Sequence, residues 1–123
     1  MAHPTGRPIV LVVEDEPLVR MLAVAAFLEG GFVVFEAGHA AEALQISDAK
    51  RGIQLLFTDV NMPGDMNGLD LAEHLLVRLP SLKVIITSAL PIQRPLDHLP
   101  VSFIAKPYDI ESVCETARGL FAA

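Results

Sequence analysis

Acidic side chains stand at the ends of two apolar runs. Glu14 and Asp15 directly follow the run 8–13, and Asp59 directly follows the run 53–58. Such runs are typical of parallel strands that are buried on both faces. Ligands of parallel sheets bind beyond the carboxyl ends of the strands. If the two runs form neighbouring strands, the three carboxylates converge at that edge of the sheet.

This carboxylate cluster predicts a divalent cation. At an effective dielectric constant near 20, each close pair of carboxylates repels by roughly 4 kcal/mol, so the cluster needs a cation or protonation. Hard oxygen ligands without a nearby histidine or cysteine favour Mg²⁺, with Mn²⁺ and Ca²⁺ as alternatives. Because Mg²⁺ takes few carboxylates, one oxygen of Asp59 stays free as a nucleophile, and aspartate is a known phosphoryl acceptor.

Two further side chains at strand ends suit the same chemistry. Thr87 ends the run 82–87, and Lys106 follows the run 101–105. Catalysis of phosphoryl transfer is mostly positioning and neutralisation of charge. The Lys106 ammonium would neutralise charge, and the Thr87 hydroxyl would bond a phosphoryl oxygen. The residues therefore predict phosphoryl transfer to Asp59.

Five apolar runs rich in Val, Ile and Phe alternate with helical patterns. The runs cover 8–13, 32–37, 53–58, 82–87 and 101–105, and the helical patterns cover 17–29, 40–49, 68–79 and a last stretch that begins at Asp109. This alternation predicts an α/β fold with right-handed crossovers. We expect a flavodoxin-like doubly wound five-stranded parallel sheet in the order 2-1-3-4-5. The segment 90–100 contains three prolines, so a fourth helix there would be short or irregular.

Length and composition limit the class of protein. The 123 residues fit one domain, which we expect over 8–123 after a flexible lead-in at 1–7, with no effector domain. The net charge of -6 argues against a nonspecific nucleic-acid binder. The single cysteine, Cys114, cannot form an internal disulfide, and no apolar run approaches a membrane span. These features favour a cytoplasmic protein.

Four motifs carry a resemblance to a known family. They are VVEDEP (12–17), FTDVNMPG (57–64) with MNGLDLA (66–72), VIITSA (84–89) and FIAKPY (103–108). Each motif alone is weak, but all four occur in order and at suitable separations. Over about 8–121, the sequence resembles the receiver domain of two-component response regulators.

The resemblance implies roles for the acidic residues. Asp59 matches the aspartate that becomes 4-aspartylphosphate. Glu14 and Asp15 match the acidic pair that holds Mg²⁺, and the backbone carbonyl of Asn61 matches a third protein ligand.

The resemblance also implies a switch. Thr87 matches the switch hydroxyl and Lys106 the invariant lysine of the family. Phe103 matches the rotating switch aromatic, although a plain core position is the alternative. Pro107 matches the proline that follows a cis peptide bond, a conformation largely confined to X–Pro bonds.

Three features depart from the usual receiver pattern. Glu14 replaces the more usual aspartate with a longer side chain. The loop 62–68 after Asp59 is one residue longer than the commoner form, with Gly64-Asp65 before Met66, and Asp65 is most simply read as a solvated acid. The proline-rich segment 90–100 stands where receivers have their fourth helix, so the output surface is expected to differ.

The leading hypothesis is a stand-alone response regulator. It receives a phosphoryl group from a sensor histidine kinase or histidine phosphotransfer protein, and it signals by conformational switching and contact with a downstream protein. We expect a signalling phosphoprotein rather than a metabolic enzyme, a monomer or weak dimer, with no direct contact to nucleic acid or membrane. One alternative is a pseudo-receiver that binds proteins without being phosphorylated. Another is a small Mg²⁺-dependent phosphohydrolase, for which Asn61 stands where a second catalytic acid is needed.

Overall fold

The described residues form five strands and four helices, and strands and helices alternate as far as the fourth strand. The computed structural model describes residues 6–91 and 100–121. The strands are β1 Ile9–Val13, β2 Val33–Ala37, β3 Ile53–Asp59, β4 Lys83–Ser88 and β5 Val101–Ala105. The helices are α1 Pro17–Glu29, α2 Ala40–Ala49, α3 Gly68–Arg78 and α4 Ile110–Phe121. None of the described helices is both long enough and apolar enough to cross a membrane.

The strands form one parallel sheet in the order β2-β1-β3-β4-β5. The prediction of a flavodoxin-like α/β fold with this order is therefore confirmed. The observed bounds lie within one residue of most predicted ones. Asp59 is the last residue of β3 rather than the residue after it, the fourth strand ends one residue beyond Thr87, and the predicted helix 68–79 ends at Arg78. The prediction of an irregular segment at 90–100 falls mostly on residues 92–99, which lie outside the described residues.

Helices cover both faces of the sheet, because its central strands are apolar on both sides. One core cluster contains Leu11, Leu56 and Ile86 with residues of α2 and α3. The other contains Val12, Phe57 and residues of α1 and α4. A parallel sheet buried on both faces needs such apolar runs rather than strict alternation.

Aromatic rings fill the core on the α1 and α4 side. Phe27 of α1 packs edge-on against Phe32 and Phe57, with centroid separations of 5.1 and 5.2 Å. Cys114 of α4 is buried there, and its thiol donates a hydrogen bond to the carbonyl of Ala26. The apolar face of α4 therefore places this cysteine in the core.

Candidate functional site

The register of β1 and β3 brings the predicted acids together. Val13 is paired with Thr58 across these neighbouring strands, so Glu14 and Asp59 follow at the same level. Carboxylate oxygens of Glu14, Asp15 and Asp59 lie within 4.8 Å of one another. Glu14 is 2% exposed and Asp59 7% exposed, whereas Asp15 is exposed. The convergence expected from the sequence is therefore present, and it presents only hard oxygen donors.

Lys106 lies between the two buried carboxylates. Its Nζ is 2.8 Å from Oε1 of Glu14 and 3.2 Å from Oδ2 of Asp59. The lysine follows β5, and its backbone N–H donates to the carbonyl of Ser88 on β4, which fixes the start of the loop. The peptide bond between Lys106 and Pro107 is cis, as predicted.

Burial and charge together shift the pKa values of this ion pair. Burial raises the pKa of Glu14, and the charge of Asp59 adds to this, against the opposing effects of Lys106 and the Glu16 N–H. For Lys106, burial lowers the pKa, but the hydrogen bond to Glu14 and the charges of Asp59 and Glu14 outweigh it and raise the pKa overall. The ammonium therefore stays charged, so it can neutralise an anion at Asp59.

Thr87 reaches the site from β4, where it pairs in register with Asp59. The backbone N–H of Val60 donates to the Thr87 carbonyl at 3.0 Å, which ties the end of β3 to β4. The Thr87 hydroxyl is buried, and it has no hydrogen-bond partner within the part of the chain that the structure describes. An unpaired buried polar group costs free energy, so this hydroxyl is suited to an oxygen ligand beside Asp59.

The loop after β3 returns tightly to the site at the start of α3. The N–H of Gly68 donates to the Val60 carbonyl at 2.9 Å. A Cβ at Gly68 would lie 1.9 Å from the backbone oxygen of Asp59, so only glycine fits. Asn67 and Asp70 form a reciprocal capping box that starts α3 here.

A cleft of about 500 Å³ lies beside Asp59. Its lining includes Asp15, Asn61, Lys106 and, on the apolar side, Val19, Leu22, Leu90 and Tyr108. Such a concave site with a few convergent polar groups is the usual form of a ligand site. Asp65 lies on the exposed loop and lines a separate cavity with His39 and Pro63.

Phe103 does not occupy the core position that the sequence left open as an alternative to the switch. Its side chain is 47% exposed on β5. Side chains alternate across a strand, so Phe103 projects from the face opposite Ile104, which packs in the core on the α1 and α4 side. Phe103 does not line the cleft beside Asp59.

Sequence reasoning missed two residues of the site. Tyr108 lines the cleft, and its buried hydroxyl has no partner among the described residues. Burial raises the pKa of Tyr108, and the charge of Glu14 adds to the shift, so the hydroxyl remains a donor. Arg20 of α1 donates to the backbone carbonyl of Glu14. No motif could reveal that contact, because its acceptor is a main-chain atom.

The parallel sheet and the carboxylate, lysine and threonine site at its edge define the class of protein. The chain belongs to the response regulator receiver domain family, whose model matches residues 10–118. Receiver domains are signalling modules of two-component systems that interact with histidine kinases or phosphotransfer proteins and bind Mg²⁺ in an acidic pocket.

Three known proteins illustrate the relationship. The chain is 33% identical over 121 residues to the sensor kinase CckA of Brucella abortus, covering 94% of this chain but only 13% of that protein's length. It is 27% identical over 113 residues to sporulation initiation phosphotransferase F of Bacillus subtilis, covering 89% of this chain and 90% of that protein. The response regulator TrrA of Thermotoga maritima, solved in complex with Mg²⁺ and BeF, matches with a TM-score of 0.81 at 26% identity, covering 92% and 98% of the two chains.

Proposed function

We propose that this receiver accepts a phosphoryl group on Asp59 from a phosphohistidine of a sensor kinase or phosphotransfer protein. One observation carries the proposal. Of the two buried carboxylates, Asp59 has both the Lys106 ammonium, at 3.2 Å, and the Thr87 hydroxyl in register beside it, and that hydroxyl has no hydrogen-bond partner among the described residues. A nucleophile, a cation and a free donor are the parts that phosphoryl transfer requires.

The donor set at the cluster fits Mg²⁺. Glu14, Asp15 and Asp59 would hold it, together with the backbone carbonyl of Asn61, which lies two residues after Asp59. All of these ligands are hard oxygens, as Mg²⁺ prefers. When bound, the ion would neutralise charge on the phosphoryl oxygens. The relative TrrA was solved with Mg²⁺ and BeF, which supports this assignment.

The residues of the chain then have separate tasks in the transfer. An oxygen of Asp59 attacks phosphorus, the P–N bond to the histidine breaks, and the electron pair returns to the imidazole ring, which takes up a proton. The ammonium of Lys106 neutralises one phosphoryl oxygen, and the hydroxyl of Thr87 donates to another. The product carries about -1.5 to -2 of added charge, so Lys106 and Thr87 would shift toward it and change the adjoining loops.

An apolar patch beside the cleft supports a protein as the phosphoryl donor. Leu18, Met21 and Leu22 of α1 are each more than half exposed, and we refer to them as the α1 patch. Their spacing puts them on one helix face, and Leu22 also lines the cleft beside Asp59. A donor protein seated on the α1 patch would bring its phosphohistidine to that cleft. We propose that this exchange takes place in the cytoplasm and that a downstream protein reads the altered loops.

Acetyl phosphate with Mg²⁺ tests the chemistry directly. We expect one phosphoryl adduct by intact-mass spectrometry on the wild type, mapped to Asp59, and none on Asp59→Asn. Asp65→Asn is the matched control, because Asp65 is an exposed acid of the following loop and lies outside the cleft lining. This variant should be modified normally.

Each of the other outcomes would favour a different function or a different acceptor residue. A wild type that gains no adduct from acetyl phosphate and binds no beryllofluoride with Mg²⁺ would contradict the proposal and favour the pseudo-receiver. Steady hydrolysis of a small phosphoester would favour the phosphohydrolase. An adduct on Asp59→Asn equal to that of the wild type would place the acceptor elsewhere.

A further inference from the structure

Arg20 connects three segments of the chain: α1, β2 and the connection that carries Glu14. From α1, its Nη1 donates to the backbone carbonyl of Glu14 at 2.9 Å, and its Nε donates to Oε1 of Glu36 on β2 at 3.1 Å. The Arg20 side chain is one quarter exposed. An arginine with two directed bonds loses much of its freedom and holds its acceptors in a fixed geometry.

The segment that Arg20 holds carries two of the three carboxylates. Glu14 and Asp15 occupy the short connection between β1 and α1. The N–H of Glu14 donates to the Ala37 carbonyl at 3.1 Å. This bond fixes the peptide unit that precedes the Glu14 side chain. The bond from Arg20 to the Glu14 carbonyl fixes the next peptide unit, whose nitrogen belongs to Asp15.

We propose that Arg20 is a positioning residue that orients Glu14 and Asp15 for Mg²⁺ through the Glu14 main chain. The inference rests on the proposed function, because it concerns the metal of that site. Ion sites depend strongly on such supporting bonds, and loss of one typically costs 10–100-fold in metal affinity. Arg20 touches no carboxylate of the cluster by a described side-chain bond, since its side-chain acceptor is Glu36.

The sign of one measurement separates positioning from charge. A nearby positive charge repels a cation, so an Arg20 that acted by charge alone would weaken Mg²⁺ binding. Removing it would then leave binding equal or tighter. If Arg20 positions the acids, Arg20→Gln should weaken Mg²⁺ binding by on the order of tenfold, although the variant has lost a positive charge.

Titration with Mg²⁺ alone, followed by calorimetry, measures this effect. Tyr108 supplies a second readout, because it is the only tyrosine, the chain has no tryptophan, and the ring lines the cleft. Arg78→Gln is the matched control. Arg78 pairs with Asp48 on the exposed surface, so this variant loses the same charge and should bind Mg²⁺ as tightly as the wild type or more tightly.

A second variant moves Arg20 without changing any charge. A Cβ at Gly38 would lie 3.2 Å from Nη1 of Arg20, so Gly38→Ala displaces the guanidinium by a few tenths of an ångström. We expect a several-fold loss of Mg²⁺ affinity. If thermal unfolding in EDTA shows that Arg20→Gln is not folded, Gly38→Ala decides the question.

The outcomes distinguish the inference from the function on which it rests. A wild type that binds no Mg²⁺ would overturn the metal assignment itself. A wild type that binds Mg²⁺, with a folded Arg20→Gln variant that binds equally well or more tightly, would overturn only the role of Arg20. Weaker binding by Arg20→Gln beside unchanged binding by Arg78→Gln would establish it.

Discussion

The contact between Gly68 and Asp59 gives a prediction that can be worked out from distances. Gly68 is the first residue of α3, and its N–H donates to the Val60 carbonyl. In Gly68→Ala, the new Cβ would lie 1.9 Å from the backbone oxygen of Asp59, whereas such contacts are essentially never shorter than 3.0 Å. The difference, about 1.1 Å, must be absorbed by α3 or by the end of β3.

Both routes cost stability. Overpacking of this kind costs about 1–3 kcal/mol, and weakening of the bond to Val60 adds about 1 kcal/mol. We therefore expect Gly68→Ala to lower the free energy of unfolding by roughly 2–4 kcal/mol. At about 4 °C per kcal/mol for a domain of this size, Tm should fall by about 8–16 °C.

The same shift should slow phosphorylation. A misplacement of about 1 Å at a reacting group can cost roughly 100-fold in rate. We therefore expect the rate of adduct formation with acetyl phosphate and Mg²⁺ to fall by up to about 100-fold in Gly68→Ala. The rate is measured well below the Tm of the variant. The effect on rate separates displacement of Asp59 from a loss of stability that leaves the site intact.

Gly119→Ala is the matched control. Gly119 lies in α4 and is exposed, and among the described residues a Cβ added there would have no atom within 4 Å besides its chain neighbours and the backbone of its own helix. Alanine there should stabilise the helix by about 0.5–1 kcal/mol and leave phosphorylation unchanged. A Gly68→Ala variant with wild-type Tm and wild-type rate would refute the reasoning, because the chain would then absorb the contact without moving Asp59.

Further predictions concern the cap of α3 and the buried ion pair. Asn67→Ala removes one half of the capping box with Asp70 and should cost about 1 kcal/mol in urea unfolding; an unchanged midpoint would contradict this. Lys106→Met leaves Glu14 and Asp59 buried without their cation and should cost about 3 kcal/mol at mildly alkaline pH in EDTA. Mg²⁺ should restore part of this loss, and failure to do so would count against the metal site. The pKa of Glu14 is raised in the folded state above its ordinary value of 4.5. Between these two values the folded protein keeps a proton that the unfolded chain has lost. The free energy of unfolding of the wild type should therefore decline as pH rises from 4.5 through the raised pKa. The free energy of unfolding of Glu14→Gln minus that of the wild type should therefore grow over this window, and a flat difference would exclude the shift.

Periodicity and strand ends sufficed to predict the fold and the convergence of the acids. Apolar runs bounded by glycine, proline and acids mark buried strands, and alternation with helices leaves few topologies. That topology makes β1 and β3 neighbours, so Glu14 and Asp59 had to meet once the register was right. Within the described residues, the differences lie at the end residues of strands and helices, because single residues at the ends add little to the periodic pattern.

The remaining features of the site depend on three-dimensional packing that no spacing encodes. Phe103 fits the apolar pattern of a strand, yet β5 is an edge strand and leaves it half exposed. Tyr108 follows the recognisable Lys106-Pro107 pair, but the burial of its hydroxyl without a partner among the described residues depends on the surrounding cleft. Arg20 has no motif of its own, because it bonds a main-chain carbonyl that any residue could provide.

The ion pair suggests why phosphorylation should depend on a bound cation. In the structure, Lys106 lies closer to Glu14 than to Asp59, at 2.8 and 3.2 Å. If Asp59 is phosphorylated as proposed, the added charge of about -1.5 to -2 attracts Lys106 away from Glu14. Glu14 is 2% exposed, and of its described side-chain bonds it would retain the one from the Glu16 N–H, at 3.2 Å. A buried carboxylate left without its cation is strongly destabilised. A divalent cation beside Glu14 and Asp15 would remove that cost, so occupation of the metal site should precede the movement of Lys106.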